Sequence, residues 1–236
     1  MHVPDGYLDA ATTAGTAAVA AAGVALALRG ARRELDERTA PMAGLTAAFV
    51  FSVQMMNFPV AFGTSGHLIG GALTAVLVGP WTAVLCMTVV LLVQGLVFAD
   101  GGLTALGTNI SLMGLVAIGV GYGVFRALQA VVPRTRTGVL ASAGVGAFLS
   151  VPVAALVFVL LFAVGGVADV PVGSVAAAMV GVHLLIGLGE AAITVAVLGA
   201  VLAVRPDLVR GARHLQRAVL LAPRPETTPP ATVDAR

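Results

Sequence analysis

Seven apolar stretches, at 9–28, 42–60, 67–79, 81–98, 103–125, 138–165 and 174–204, constrain this chain more than any other feature. Most of them reach the roughly 20 residues that a helix needs to cross a bilayer. Charged residues make up only 10% of the sequence, and the mean hydropathy is +1.01. A soluble domain of this size needs more polar surface than that to face water. The fold class expected is therefore all-α, a polytopic membrane helical bundle of about seven transmembrane helices.

Orientation follows from the basic residues. All 13 are arginines, and the chain has no lysine. Arg29, Arg32, Arg33 and Arg38 lie between the first two spans, Arg126, Arg134 and Arg136 between the fifth and sixth, and the rest after the seventh. The positive-inside rule makes these segments cytoplasmic and puts the N-terminus outside and the C-terminus inside. The loops near 61–66, 99–102 and 166–173 then face out. No basic, apolar and small-residue succession of the secretory type precedes the first polar motif, so the mature chain is expected to begin at Met1. The chain divides into a transmembrane domain at 1–204 and a cytoplasmic stretch at 205–236, which holds a short basic amphipathic segment and then a Pro/Thr-rich end expected to be disordered.

The third span is short. About 13 residues make some 20 Å of helix against a hydrocarbon core of about 30 Å. If it did not cross, every later loop would change sides and the arginines at 126–136 would face out. The sequence therefore predicts a short helix preceded by irregular backbone at membrane depth, FPVAFGTSG at 58–66. Such backbone survives only where protein or a water-filled cavity surrounds it, and in transporters it marks binding sites.

Two histidines fall on the outer side, His2 and His67. A histidine at position 2 offers three nitrogens in succession: the Met1 amine, its own backbone amide and its imidazole. These close fused chelate rings around one ion, and His67 supplies a fourth nitrogen. Four nitrogens in a plane suit Ni(II) or Cu(II). The turn Pro4-Asp5-Gly6 can fold the terminus down toward His67, and Ser65 is expected to cap a helix starting near that residue. Gly63 and Gly66 allow another segment to approach closely, whereas Gly70 and Gly71 also suit plain helix contact.

With these residues in view, MHVPDGY, QMMNFPV at 54–60, GTSGHLIGG at 63–71, QGLVFADGGLTALGTN at 94–109 and HLLIGLGE at 183–190 resemble the CbiM/NikM family over about residues 1–204. These are the substrate-capture membrane subunits of energy-coupling factor transporters for cobalt and nickel. The resemblance implies metal ligation by Met1, His2 and His67, a multi-pass protein of the prokaryotic cytoplasmic membrane, and no permanent cofactor beyond the transported Co²⁺ or Ni²⁺. It further implies a transmembrane coupling subunit, cytoplasmic ATPases and often a small accessory membrane protein as partners; cobalt uptake would serve cobalamin biosynthesis. The chain is expected not to be an enzyme and to need no nucleic acid. Without lysine it cannot build a Walker A loop, so its energy must come from a partner or an ion gradient.

Other polar residues near the outer ends of spans are Gln54, Asn57, Asp100 and Asn109, candidates for orienting the histidines or lining the access path, with simple helix-to-helix bonding as the alternative. His183 and Glu190 stand seven apart on one face of the last span, in interhelical bonding or coupling, and their depth argues against ligation. His214 is expected to be solvated in the tail, and Cys86 to be a small packed side chain. Ala10, Ala14, Ala18 and Ala22 form a smooth stripe for internal contact or for a coupling subunit. Two further readings stay open: a self-sufficient secondary transporter in which His183 and Glu190 relay protons, and an intramembrane metallohydrolase built on the same pair.

Overall fold

The computed structural model describes residues 1–37, 39–62 and 64–215. Arg38, Gly63 and the Pro/Thr-rich end lie outside the described residues. The helices are α1 (Ala10–Ala31), α2 (Thr39–Gln54), α3 (Gly71–Val78), α4 (Pro80–Val97), α5 (Leu106–Asn109), α6 (Ala117–Val131), α7 (Arg136–Gly165) and α8 (Val172–Val204). Between α5 and α6 the chain stays helical but widens to π geometry over Ile110–Val116. Among the described residues five helical segments are long and apolar enough to cross a membrane: α1, α4, the joined stretch Leu106–Val131, α7 and α8. The shorter α2 is also apolar.

Local chemistry sets several of the boundaries. The Asp9 side chain accepts from Thr12 N–H at 2.7 Å and caps α1, and Thr135 accepts from Gly138 N–H at 3.1 Å to cap α7. Pro80 opens α4, a position where its missing N–H costs nothing. Pro152 lies inside α7, so the carbonyl of Phe148 has no helical donor. There α8 comes close: a Cβ on Gly187 would sit 2.9 Å from that oxygen. Small residues likewise bring α6 against α7, where a Cβ on Gly146 would collide with the Gly121 carbonyl.

The third apolar segment differs from its sequence-based bounds. Its helix is 8 residues long and begins at Gly71. The irregular backbone is correspondingly longer than 58–66, running from the end of α2 to Gly70 through a minimal antiparallel pair, β1 (Phe58–Pro59) and β2 (Ser65–Gly66). Ser65 does not cap a helix; it sits in β2 and its hydroxyl has no hydrogen-bond partner among the described residues. The start of α3 is fixed instead by Gly70, at φ 77°, and by Glu190 of α8, whose two carboxylate oxygens accept from Ile69 N–H at 2.8 Å and Gly70 N–H at 2.6 Å. A carboxylate from across the bundle satisfies the donors that a capping side chain would otherwise take.

The connections gather at two ends. At one, Asp9 N–H donates to Gly165 O at 2.7 Å, Gly102 N–H to Val3 O at 3.0 Å, and Asn57 to Asp100 at 3.0 Å. At the other, Glu34 accepts from Thr82 N–H at 2.8 Å, Arg210 donates to the Glu34 carbonyl at 3.0 Å, and Arg136 to the Gly199 carbonyl at 2.7 Å. Residues 206–208 and 210–212 form 3₁₀ turns, and Val209 and Ala212 are fully buried against the bundle. The Ala10, Ala14, Ala18 and Ala22 face of α1 is exposed.

Candidate metal centre

The N-terminus turns inward instead of fraying. Tyr7 N–H donates to Pro4 O at 3.4 Å across the expected turn, and Leu8 bridges to Gly166. Asn109 then clamps the backbone of Val3, its side-chain oxygen accepting from Val3 N–H at 2.8 Å and its amide donating to Val3 O at 3.2 Å. Asp5 accepts from Thr104 N–H at 2.7 Å. Held at these points, Met1 and Val3 are fully buried and His2 is 4% exposed. Burial pushes the Met1 amine down from 8.0 to about 4, against the opposing pull of the Asp100 carboxylate. The amine is thus neutral at pH 7, with its lone pair free for a cation.

His67 meets this terminus from the irregular segment. The two imidazole centroids are 4.6 Å apart, with planes tilted by 30°. His67 is 1% exposed, and its Nδ1–H donates to the Leu68 carbonyl at 2.8 Å. That bond leaves the Nε2 lone pair free, and Nε2 is buried with no partner among the described residues. A buried nitrogen without a partner costs stability unless something occupies it, so the position fits a ligand.

Around the pair, Asp100 Oδ1 lies 3.2 Å from His2 Nδ1, without hydrogen-bond alignment. The His2 ring holds the Asp100 carboxyl below the usual carboxylate range. Asn57 steadies the other Asp100 oxygen at 3.0 Å. The backbone places Asp100 through unusual torsions, Ala99 at φ 52° and Gly101 at φ 91°, and a Cβ on Gly101 would stand 3.0 Å from the His2 ring. A cavity of about 350 Å³, lined among others by His2, Asp5, Ser65 and Asp100, opens beside the site. The structure thus brings Met1, His2, His67, Asn57, Ser65, Asp100 and Asn109 into one neighbourhood.

Sequence reasoning passed over Gln94. It is fully buried in α4, its Oε1 lies 3.2 Å from His2 Nε2, and its backbone carbonyl accepts from Asp100 N–H at 3.0 Å. The available signal was a glutamine in an otherwise apolar run. Gln54 supports the loop after His67, donating to the Ile69 carbonyl at 2.6 Å.

The depth reasoning for α8 needs correction. His183 is buried and interacts electrostatically with both the Met1 amine and His67, so it lies nearer to them than helical rise along α8 alone suggests. Its Nδ1 bonds the Met179 carbonyl of its own helix at 2.7 Å, and its Nε2 is buried without a partner among the described residues. Glu190 reaches Ile69 and Gly70, two and three residues past His67 in sequence. Among the described residues no three His, Cys, Asp or Glu side chains cluster as a metal site. An ion between His2 and His67 would therefore draw its remaining nitrogens from the backbone.

Residues 2–208 match the family model described as the cobalt uptake substrate-specific transmembrane region, CbiM. The chain is 37% identical to a cobalt transport protein CbiM of Sorangium cellulosum, over 89% of this chain and 94% of that protein. It is also 37% identical to an Archaeoglobus fulgidus protein provisionally named a fused nickel transport protein, over 89% of this chain and 68% of that one. A crystal structure of a transition metal transporter superposes with a TM-score of 0.81 at 28% identity, covering 92% of this chain and 99% of that one. The matched relatives are metal transport proteins, not enzymes.

Proposed function

Since the chain belongs to the CbiM family, multi-pass membrane components of cobalt or nickel transport, we propose that it captures one Co²⁺ or Ni²⁺ through the Met1 amine, the His2 amide and imidazole, and His67 Nε2. The observation that carries this reading is the buried His67 Nε2, unpartnered among the described residues, beside a fully buried N-terminus. Asp100 and Gln94 aim the His2 ring, and Asn109 fixes the backbone behind it. Outer-shell partners of this kind set ligand orientation and basicity.

The metal centre faces outward and the arginine-bearing end faces the cytoplasm, in the cytoplasmic membrane of a prokaryote. Capture is followed by delivery inward as the substrate-specific component of an ATP-driven energy-coupling factor transporter. A chain without lysine has no Walker A loop of its own, so ATPase subunits and a transmembrane coupling subunit supply the energy. The exposed Ala10, Ala14, Ala18 and Ala22 face suits close approach of that coupling subunit. Glu190, engaged by two backbone donors, has structural work that a proton relay would disturb.

Two results are expected. Cysteines placed at 100 or 169 in a Cys86→Ser background react with an impermeant thiol reagent from outside, and one at 134 does not; the reverse pattern overturns the orientation. In proteoliposomes the chain alone binds metal without concentrating it, and accumulation requires the coupling subunit, ATPases and ATP. Robust ATP-independent accumulation by the chain alone would make it a secondary transporter.

A further inference from the structure

The end of the bundle opposite the metal centre holds a cavity of about 470 Å³. Tyr122 and Arg126 reach it from α6, Arg134 from the connection to α7, and Arg210, Arg213 and His214 from the segment after α8. Two stretches distant in sequence, 122–134 and 210–214, thus converge on one space, and no carboxylate lines it among the described residues.

Neighbouring arginines are already engaged. Arg205 is paired with Asp207 at 2.7 Å, Arg136 donates to the Gly199 carbonyl at 2.7 Å, and Arg210 is anchored on the carbonyls of Glu34 and Arg33 at 3.0 and 3.3 Å. Arg126, Arg134 and Arg213 are exposed, and His214 Nε2 is buried without a partner among the described residues. Burial, and then the positive charge of Arg134, hold the His214 ring below its ordinary value.

The chemistry that answers this field is a compact anion with several oxygens, because planar guanidinium forks match the edges of a phosphate. The level matters as well. Arg126 lies in the last turns of α6, part of the apolar segment Leu106–Val131, with Tyr122 one turn deeper. That is headgroup depth, and basic pockets between helices on the cytoplasmic side receive anionic lipid headgroups.

We propose that this cavity binds a phosphate group, supplied by the headgroup of an anionic phospholipid in the surrounding leaflet. The bound headgroup ties the α6–α7 connection to the segment after α8 and offsets the mutual repulsion of the arginines.

The test uses the full chain in detergent micelles, exchanged against phosphatidylcholine or phosphatidylglycerol, with retained lipids counted by native mass spectrometry. The unaltered chain retains phosphatidylglycerol in preference to phosphatidylcholine. The Arg126→Gln/Arg134→Gln/Arg213→Gln variant loses that preference, binding on the order of a hundredfold more weakly if each cation contributes as juxtamembrane basic residues do. Nickel affinity at the other end, unchanged in the variant, certifies its fold; if the triple variant does not fold, Arg134→Gln alone replaces it, with a smaller loss. Inorganic phosphate added to lipid-free micelles forms a second arm. If it raises the melting temperature of the unaltered chain but not of the variant, the site holds and its source is free phosphate. No preference between the two lipids, together with no response to phosphate, overturns the proposal.

Discussion

Extending the chain by three glycines ahead of Met1, which also keeps the histidine out of the third position where a new amine–amide–amide–imidazole chelate would form, will abolish tight nickel and cobalt binding while leaving every side chain in place. The extension turns the Met1 amine into a peptide nitrogen, which holds its proton far more firmly than an amine and so competes poorly as a ligand. Space enforces the same result: Met1 and Val3 are fully buried and Asn109 fixes Val3 from both sides, so an added residue cannot slide past the site. The loss should equal that of His67→Ala, more than about a hundredfold in affinity, since a missing ligand exceeds the 10–100-fold typical of a missing outer partner. Calorimetric titration with Ni²⁺ and Co²⁺ reads the effect. Three glycines appended at the C-terminal end serve as the control, and thermal unfolding separates lost ligation from lost fold. Equal affinity in the N-extended and C-extended proteins would remove Met1 from the ligand set.

Glu190→Ala carries the second large effect, although Glu190 is not a proposed ligand. Its carboxylate takes the N–H groups of Ile69 and Gly70, deep where no water replaces it. Truncation leaves both donors buried and unpaired, at about 1–3 kcal/mol each, and frees the segment that presents His67. Thermal stability should fall, and nickel affinity should fall with it by about 10–100-fold. Glu190→Gln keeps one accepting oxygen and turns its amide toward the other donor, so it should fall between Glu190→Ala and the unaltered chain in both measurements. Unchanged stability and affinity in Glu190→Ala would mean that the 67–70 backbone is held by something else.

The long helices were legible because lipid leaves a chain few ways to satisfy its backbone, and runs such as 138–165 and 174–204 announce their spans directly. The boundary of α3 was not. Its start depends on a carboxylate about 120 residues away in sequence and on a left-handed Gly70, and neither leaves a mark in the local pattern. Ser65 misled for the same reason: its type and spacing suit a cap, but the capping role is filled from α8.

Within the site, His2 and His67 stood out because the sequence contains few histidines and these two fell on the same side of the membrane under the arginine rule. Asn57, Asp100 and Asn109 were visible as polar residues at span ends. Gln94 was hidden, since one amide in an apolar helix reads equally well as a helix-to-helix bond, and only the fold shows it facing His2. The nearness of His183 was hidden too. Counting helical rise gives depth along α8 but says nothing of how far the N-terminus descends into the bundle to meet it.

X-ray absorption at the nickel edge of the loaded protein tests the central claim most directly, because it counts donors and imidazole rings around the ion itself. The expected spectrum is a planar shell of four nitrogens with outer scattering from two rings, His2 and His67, falling to one ring in His67→Ala. A six-coordinate shell rich in oxygen, or scattering from a third ring that vanishes in His183→Ala, would contradict ligation by the N-terminus and His67 alone.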